Sequence, residues 1–153
     1  VKEVRKIARI MVQEIIELDS DHADLYQQKY DRFMLELDTL DSFLSKELSA
    51  VRGKTVIIYH PALAYLARDY GFFQVTIEKE GKNPSAYHMK EIVDLARHEN
   101  IKTILIQKQI DREMAEGVAG EIGGRVEVID PLAYSWTDNL QDIARMLNRI
   151  IQS

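Results

Sequence analysis

Four short runs rich in β-branched residues, TVIIY (55–59), FQVTI (73–77), TILIQ (103–107) and VEVI (126–129), recur through the chain with helix-length segments between them. Such residues favour the pleated, half-buried backbone of a strand, and each run is bounded by turn formers. The intervening segments predict helices over about 61–70, 86–99, 112–122 and 138–152, with Ser85, Asp111 and Thr137 as candidate N-caps and Gly123-Gly124 as a stop. Strands alternating with helices assemble into a parallel sheet through right-handed crossovers, and near-continuous apolar strands need cover on both faces. The fold class is therefore α/β, with a parallel four-stranded sheet flanked by helices.

The texture changes upstream of Val51–Lys54. No proline or glycine occurs before that point, and Val4, Ile7, Ile10, Met11 and Ile15 recur at the spacing of one buried helix face, which predicts a helix over 2–18. After LDSDHAD, the residues Tyr26, Tyr30, Phe33, Leu37, Leu40, Leu44 and Leu48 form an apolar stripe more than three heptads long. This is a second, longer helix, with Asp21 as its expected N-cap because a short side-chain oxygen can accept from a first-turn amide. Gly53 marks its end or the loop beyond it.

Composition removes several function classes. A formal net charge of -5 argues against a nucleic-acid binder, which needs a basic face to displace counterions. With no cysteine, disulfides, thiolate metal sites and thiol nucleophiles are all excluded. No apolar run reaches the roughly 20 residues of a membrane span. The opening VKEVRKIARIMVQEII has neither the apolar block of a signal peptide nor an initiator methionine, so the expectation is a piece cut from a longer protein, any targeting segment having been lost.

In open parallel sheets, ligands bind beyond the carboxyl ends of the strands. Those ends carry His60-Pro61, Glu78-Lys79, Gln107 to Gln109, and Asp130-Pro131. A proline pushes the residue before it out of helical conformation, and its own fixed φ suits a helix start, so His60 and Asp130 are both expected to stand stiffly at strand exits. An imidazole and a carboxylate so placed could coordinate a divalent cation, form an acid–base dyad, or cap backbone amides. The remaining candidates read as structural. His22 and His98 fall at helix ends, His88 has no second ligand at helical spacing, and the acidic residues of the long helix form its wet face. Tyr134 and Trp136 are expected to pack against the lobe. Neither a glycine-rich phosphate loop after the first strand nor a Gly-x-Ser-x-Gly elbow is present.

Three stretches, YHPALAYLARDYGF, GKNPSAYHMKEIVDLARHENIKTILIQKQI and GGRVEVIDPLA, follow the helix YQQKYDRFMLELDTLDSFLSKEL in an order and spacing that resemble the carboxyl-terminal half of the metal-binding solute receptors of zinc and manganese ABC transporters, of the cluster A-I type. The resemblance covers essentially the whole chain. It implies two α/β lobes joined by one rigid helix, with the metal held in the cleft between the lobes. On that pattern residues 1–20 are a helix left over from the amino-terminal lobe, 21–52 the interlobe helix and 53–153 the carboxyl-terminal lobe. His60 matches the family's third ligand position and Asp130 its fourth, whereas the two histidines of the first lobe are missing here. Asn83 stands where the family often has glutamate, and Gln107-Lys108 where Glu-Pro is common.

The resemblance implies a substrate-binding component and not an enzyme. It would capture Zn²⁺, or alternatively Mn²⁺, and deliver the ion to a membrane permease, working in the periplasm or outside the cytoplasmic membrane, where such proteins are in some cases lipid-anchored. Imidazole favours zinc over manganese, which prefers more oxygen ligands. Two alternatives stand beside this reading: an enzyme using His60 and Asp130 as an acid–base dyad, and an adhesin or partner-binding module using the long helix. A homodimer of the chain is a further expectation, because the Val4–Ile15 stripe would otherwise lack cover.

Overall fold

The computed structural model describes residues 1–78, 84–109 and 112–152. Asp111, expected as an N-cap, lies outside them, as do Lys79 and Asn83. The chain divides into two compact units, Val1–Lys46 and Glu47–Ser153.

The first unit is a helical hairpin. Helix α1 (Lys2–Leu18) covers the span expected for it, and α2 (Ala23–Glu47) follows after one turn of 3-10 helix, Ser20–His22. Arg5 reaches Asp38 at 2.7 Å, while Ala8, Met11, Val12 and Ile15 of α1 share an apolar groove with Tyr26, Tyr30 and Phe33 of α2. The junction is organised by Asp19 and not by Asp21, which sits inside the 3-10 turn. The Asp19 carboxylate accepts from the Tyr26 hydroxyl at 2.6 Å and contacts His22 Nδ1 at 2.9 Å. These two bonds hold its pKa below the ordinary carboxylate value, Tyr26 being the larger cause. Asp19 does this through side chains alone, with no capping bond from its carboxylate to a backbone amide.

In the second unit, strands β1 (Thr55–Ile58), β2 (Phe73–Thr76), β3 (Thr103–Gln107) and β4 (Arg125–Ile129) form one parallel sheet in the order β2-β1-β3-β4. The helices between and after them are α3 (Ala64–Tyr70), α4 (Ala86–His98), α5 (Glu113–Glu121) and α6 (Trp136–Gln152). Every residue of β1 and β3 is buried, whereas β2 and β4 are partly exposed, as edge strands must be. The chain leaves β1 for one edge and returns across it to β3 and β4. With right-handed crossovers that reversal puts α3 on one face and α4 and α5 on the other. The latter layer is continuous: Ile57, Ile104 and Ile106 pack with Ile92 and Ala96 of α4 and with Ala115 and Val118 of α5. Alternate strand residues, Val56, Ile58 and Leu105, point to the opposite face. Helix α6 packs on the turn Leu48–Val51, and Asn148 donates to Glu47 Oε1 at 2.9 Å.

Two helix starts differ from expectation. Neither proline opens a helix: α3 begins at Ala64 and α6 at Trp136. After His60 the chain makes a tight turn, with Ala62 N–H bonded to the His60 carbonyl at 2.7 Å, and the α3 entrance is capped from the neighbouring strand by Gln74 Oε1, which accepts from Leu63 N–H at 2.8 Å. In the second case Ser135, not Thr137, precedes the helix, and the Asn139 side chain ties down the loop by donating to the Asp130 carbonyl. Ser85 caps α4 as expected, accepting from His88 N–H. Gly71, with φ 80°, closes α3 in the left-handed conformation that glycine adopts without strain.

Gly124 is needed for a different reason. A Cβ there would lie 2.3 Å from the Lys102 carbonyl oxygen, the same oxygen that accepts from Arg125 N–H at the start of β4. We expect Gly124→Ala to destabilise the fold by roughly 2 kcal/mol through this backbone clash. Gly120→Ala, where the added methyl meets nothing, should instead stabilise α5 by about 0.5–1 kcal/mol. Urea denaturation of the two variants checks the pair, and a neutral Gly124→Ala would mean that β3 and β4 are not held at this spacing.

Candidate metal centre

The carboxyl ends of the four strands are stiffer than their formal limits suggest. Backbone pairing continues past them: Tyr59 N–H bonds to Leu105 O at 2.8 Å, Glu78 N–H to Tyr59 O at 2.9 Å, and Lys108 N–H to Ile129 O at 2.9 Å. The chain reverses direction between β1 and β3, and a crevice forms where connections diverge in this way. His60 leaves from the β1 side of that point and Lys108 from the β3 side.

His60 is 47% exposed at its side chain, and its Nδ1 lies 2.8 Å from Oε2 of Glu78, itself only 14% exposed. The contact follows from register. Ile58 pairs with Thr76, so residues two places beyond each strand, His60 and Glu78, come out side by side. The sequence places Glu78 at a strand end but by itself gives it no role. The signal available was its equal distance from the end of its strand, usable only once β1 and β2 are known to be neighbours in that register.

Asp130 leaves β4, with β3 between it and β1, so the His60 and Asp130 backbones are roughly 10 Å apart, two interstrand spacings. Its Oδ1 accepts from Gln109 Nε2 at 3.1 Å and from Leu132 N–H at 3.2 Å, and Oδ2 lies 3.7 Å from the Lys108 ammonium. The bond to Leu132 two residues on is the local turn typical of aspartate. Thus part of the carboxylate caps a backbone amide, as one of the sequence-level readings allowed. Gln109 is the largest cause holding the Asp130 pKa below its ordinary value; Leu132 N–H and Lys108 act in the same direction.

No hydrogen bond joins His60 to Asp130 among the described residues. The acid–base dyad of the alternative reading therefore does not form here: the carboxylate beside the imidazole is Glu78. The other histidines are engaged elsewhere or exposed. His88 sets Nε2 3.1 Å from the Thr76 carbonyl and Nδ1 3.5 Å from Glu91, and His22 contacts Asp19. Tyr134, expected to pack against the lobe, is fully exposed, because the loop from Asp130 to Ser135 is held by backbone and Asn139 bonds that do not involve its ring. Among the described residues no three or more His, Cys, Asp or Glu side chains converge tightly enough to hold a metal ion. A zinc site takes three or four protein ligands, so His60 and Asp130 by themselves do not make one.

Asp130 should titrate below the usual carboxylate range, and Gln109→Leu should move it upward toward that range. A depressed folded-state pKa means that the stabilisation is present above the unfolded-state value and is lost as pH falls through the folded-state value. Carboxyl-carbon NMR titration checks this, and an unshifted Asp130 in Gln109→Leu would show that the amide does not hold it.

A profile described as "ZnuA: Zinc-uptake complex component A periplasmic" matches residues 1–153. The high-affinity zinc uptake system protein ZnuA of Bacillus subtilis (strain 168) is 29% identical over 133 residues, which is 86% of this chain and 40% of that protein. A crystal structure of ZnuA superposes with a TM-score of 0.92 at 35% identity, covering 97% of this chain and 58% of the other. The laminin-binding protein Lmb of Streptococcus agalactiae, described as bifunctional with adhesin and metal-transporting activity, gives a TM-score of 0.80 at 28% identity, with 92% and 57% covered. The chain thus spans about half the length of the proteins it matches.

Proposed function

The chain belongs to the family of zinc-uptake complex component A, and on that premise we propose that it is the metal-presenting half of a solute-binding protein that captures Zn²⁺ and hands it to an ABC permease. The observation that carries the reading is the half-exposed imidazole of His60, fixed at the sheet's reversal point, with the carboxylate of Asp130 across β3. His60 is assigned as a metal ligand and Asp130 as a second, weaker one. The remaining ligands would come from a preceding lobe, in keeping with the part-length match to the relatives.

In this reading residues 1–20 belong to the amino-terminal lobe, 21–52 form the interlobe helix and 53–153 the carboxyl-terminal lobe. The exposed apolar residues of α1, Ile7, Ile10, Met11 and Leu18, would be covered by that preceding lobe. In the isolated chain a second copy would serve, so sedimentation of residues 1–153 is expected to show self-association, and a strict monomer would remove the homodimer. The protein acts in the periplasm, or outside the membrane on a lipid anchor. In this reading it is a carrier and not a catalyst, which the zinc-uptake description of the family supports; a His60–Asp130 dyad is disfavoured because each group is held by other partners.

Zinc is favoured over manganese because the assigned pair contains an imidazole and a carboxylate already committed to Gln109, Leu132 and Lys108. In the full-length protein His60→Ala should weaken zinc binding by about 100-fold or more and Asp130→Ala by only about 10-fold, since water replaces a carboxylate more readily than a fixed imidazole. Both variants should keep the wild-type melting temperature, because neither side chain lies in the core. Calorimetry with a competing chelator reads both affinities. If His60→Ala bound zinc within twofold of wild type, the site would lie elsewhere.

A second reading draws on the adhesin activity in the description of Lmb. The same protein would then also hold a macromolecular partner, and protection of α2 amides on adding laminin would be its mark.

A further inference from the structure

An imidazole can donate a lone pair from only one of its nitrogens while the other keeps its proton, and what the second nitrogen touches decides which one donates. At His60 that second contact is unambiguous: Nδ1 lies 2.8 Å from Oε2 of Glu78. An ionised carboxylate can only accept, so Nδ1 is the nitrogen that carries the hydrogen, and in the neutral ring, the form that binds a metal, Nε2 is left with the lone pair. The arrangement is supported from both sides. Glu78 is mostly buried, with its own N–H bonded to the Tyr59 carbonyl, and the His60 backbone is confined by Pro61 and by the turn to Ala62. Rotation of the ring about its bond to Cβ would break the contact, so the same hydrogen bond sets both the tautomer and the direction of the free nitrogen.

We propose that Glu78 is a positioning residue for metal capture: it holds His60 in the Nδ1–H tautomer, making Nε2 the metal-donor atom, without itself coordinating the ion. Carboxylates that orient ligand histidines in this way are worth about 10–100-fold in metal affinity. The proposal rests on the reading that His60 is a ligand. Its structural half, the tautomer, can be measured without metal.

In the full-length protein labelled with ¹⁵N-histidine, long-range proton–nitrogen spectra of the metal-free form should show His60 protonated at Nδ1. Glu78→Ala should release the ring toward the Nε2–H form, with no change in melting temperature. Zinc affinity should fall by about 10–100-fold in Glu78→Ala and recover in part in Glu78→Gln, whose amide oxygen can still accept from Nδ1–H. A wild-type ring protonated at Nε2, or unchanged affinity in Glu78→Ala, would overturn the proposal. So would X-ray absorption of the zinc-loaded protein showing one oxygen ligand lost on Glu78→Ala, since Glu78 would then be a ligand itself. Loss of affinity in Glu78→Ala with none in His60→Ala would instead sink the ligand assignment of His60, and with it any role of Glu78 through that ring.

Discussion

The rest of the second unit depends on burying β1 and β3 on both faces. Two adjacent parallel strands with no exposed residue need a helical layer above and another below. With crossovers of one hand, a chain can fill both layers only by reversing its direction across the sheet, and it reverses between these two strands. That reversal opens the crevice at their carboxyl ends. The position of His60 is thus a consequence of core burial, and the imidazole leaves from a strand buried along its whole length.

The same constraint supplies its neighbours. Parallel strands in fixed register bring residues equally far past their ends to the same level, which is how Glu78 comes beside His60. On the other side, Lys108 and Gln109 leave β3 next to Asp130 leaving β4, and both reach the carboxylate. The two candidate ligands are consequently held by different partners, each from an adjacent strand. A divided arrangement of this kind suits an ion arriving between them better than direct proton exchange from one to the other.

The prolines do different work from that expected of them. Helix N-termini are electrically positive, and if Pro61 and Pro131 opened helices, His60 and Asp130 would sit in a field hostile to a cation. Helix α3 instead begins at Ala64 and α6 at Trp136, and a helix terminus acts mainly within its first turn. The intervening turns move the positive ends away from the strand tips, and the α3 entrance is partly satisfied by the Gln74 side chain. This removes an objection that follows from reading His-Pro and Asp-Pro as helix openers.

Local periodicity was sufficient for the α/β class, for all four strands within a residue or two, and for α1 over its full span, because these features repeat inside a short window. His60 and Asp130 could also be singled out, since strand exits in a parallel sheet are legible from a β-branched run followed by a proline. Sequence did not determine the helix start governed by a distant group, since Gln74 caps α3 from another strand, and it did not single out Asp19 as the residue that meets Tyr26 and His22 at the α1–α2 junction. Nor could it pair Glu78 with His60, or Gln109 with Asp130. Those contacts join residues 18 and 21 positions apart, and they exist only because strand order and register bring separate strand ends together. Residue type and spacing therefore determined which groups stand at the ends of the strands, and only the tertiary structure decided which of them meet, because a hydrogen bond depends on position in space and not on distance along the chain.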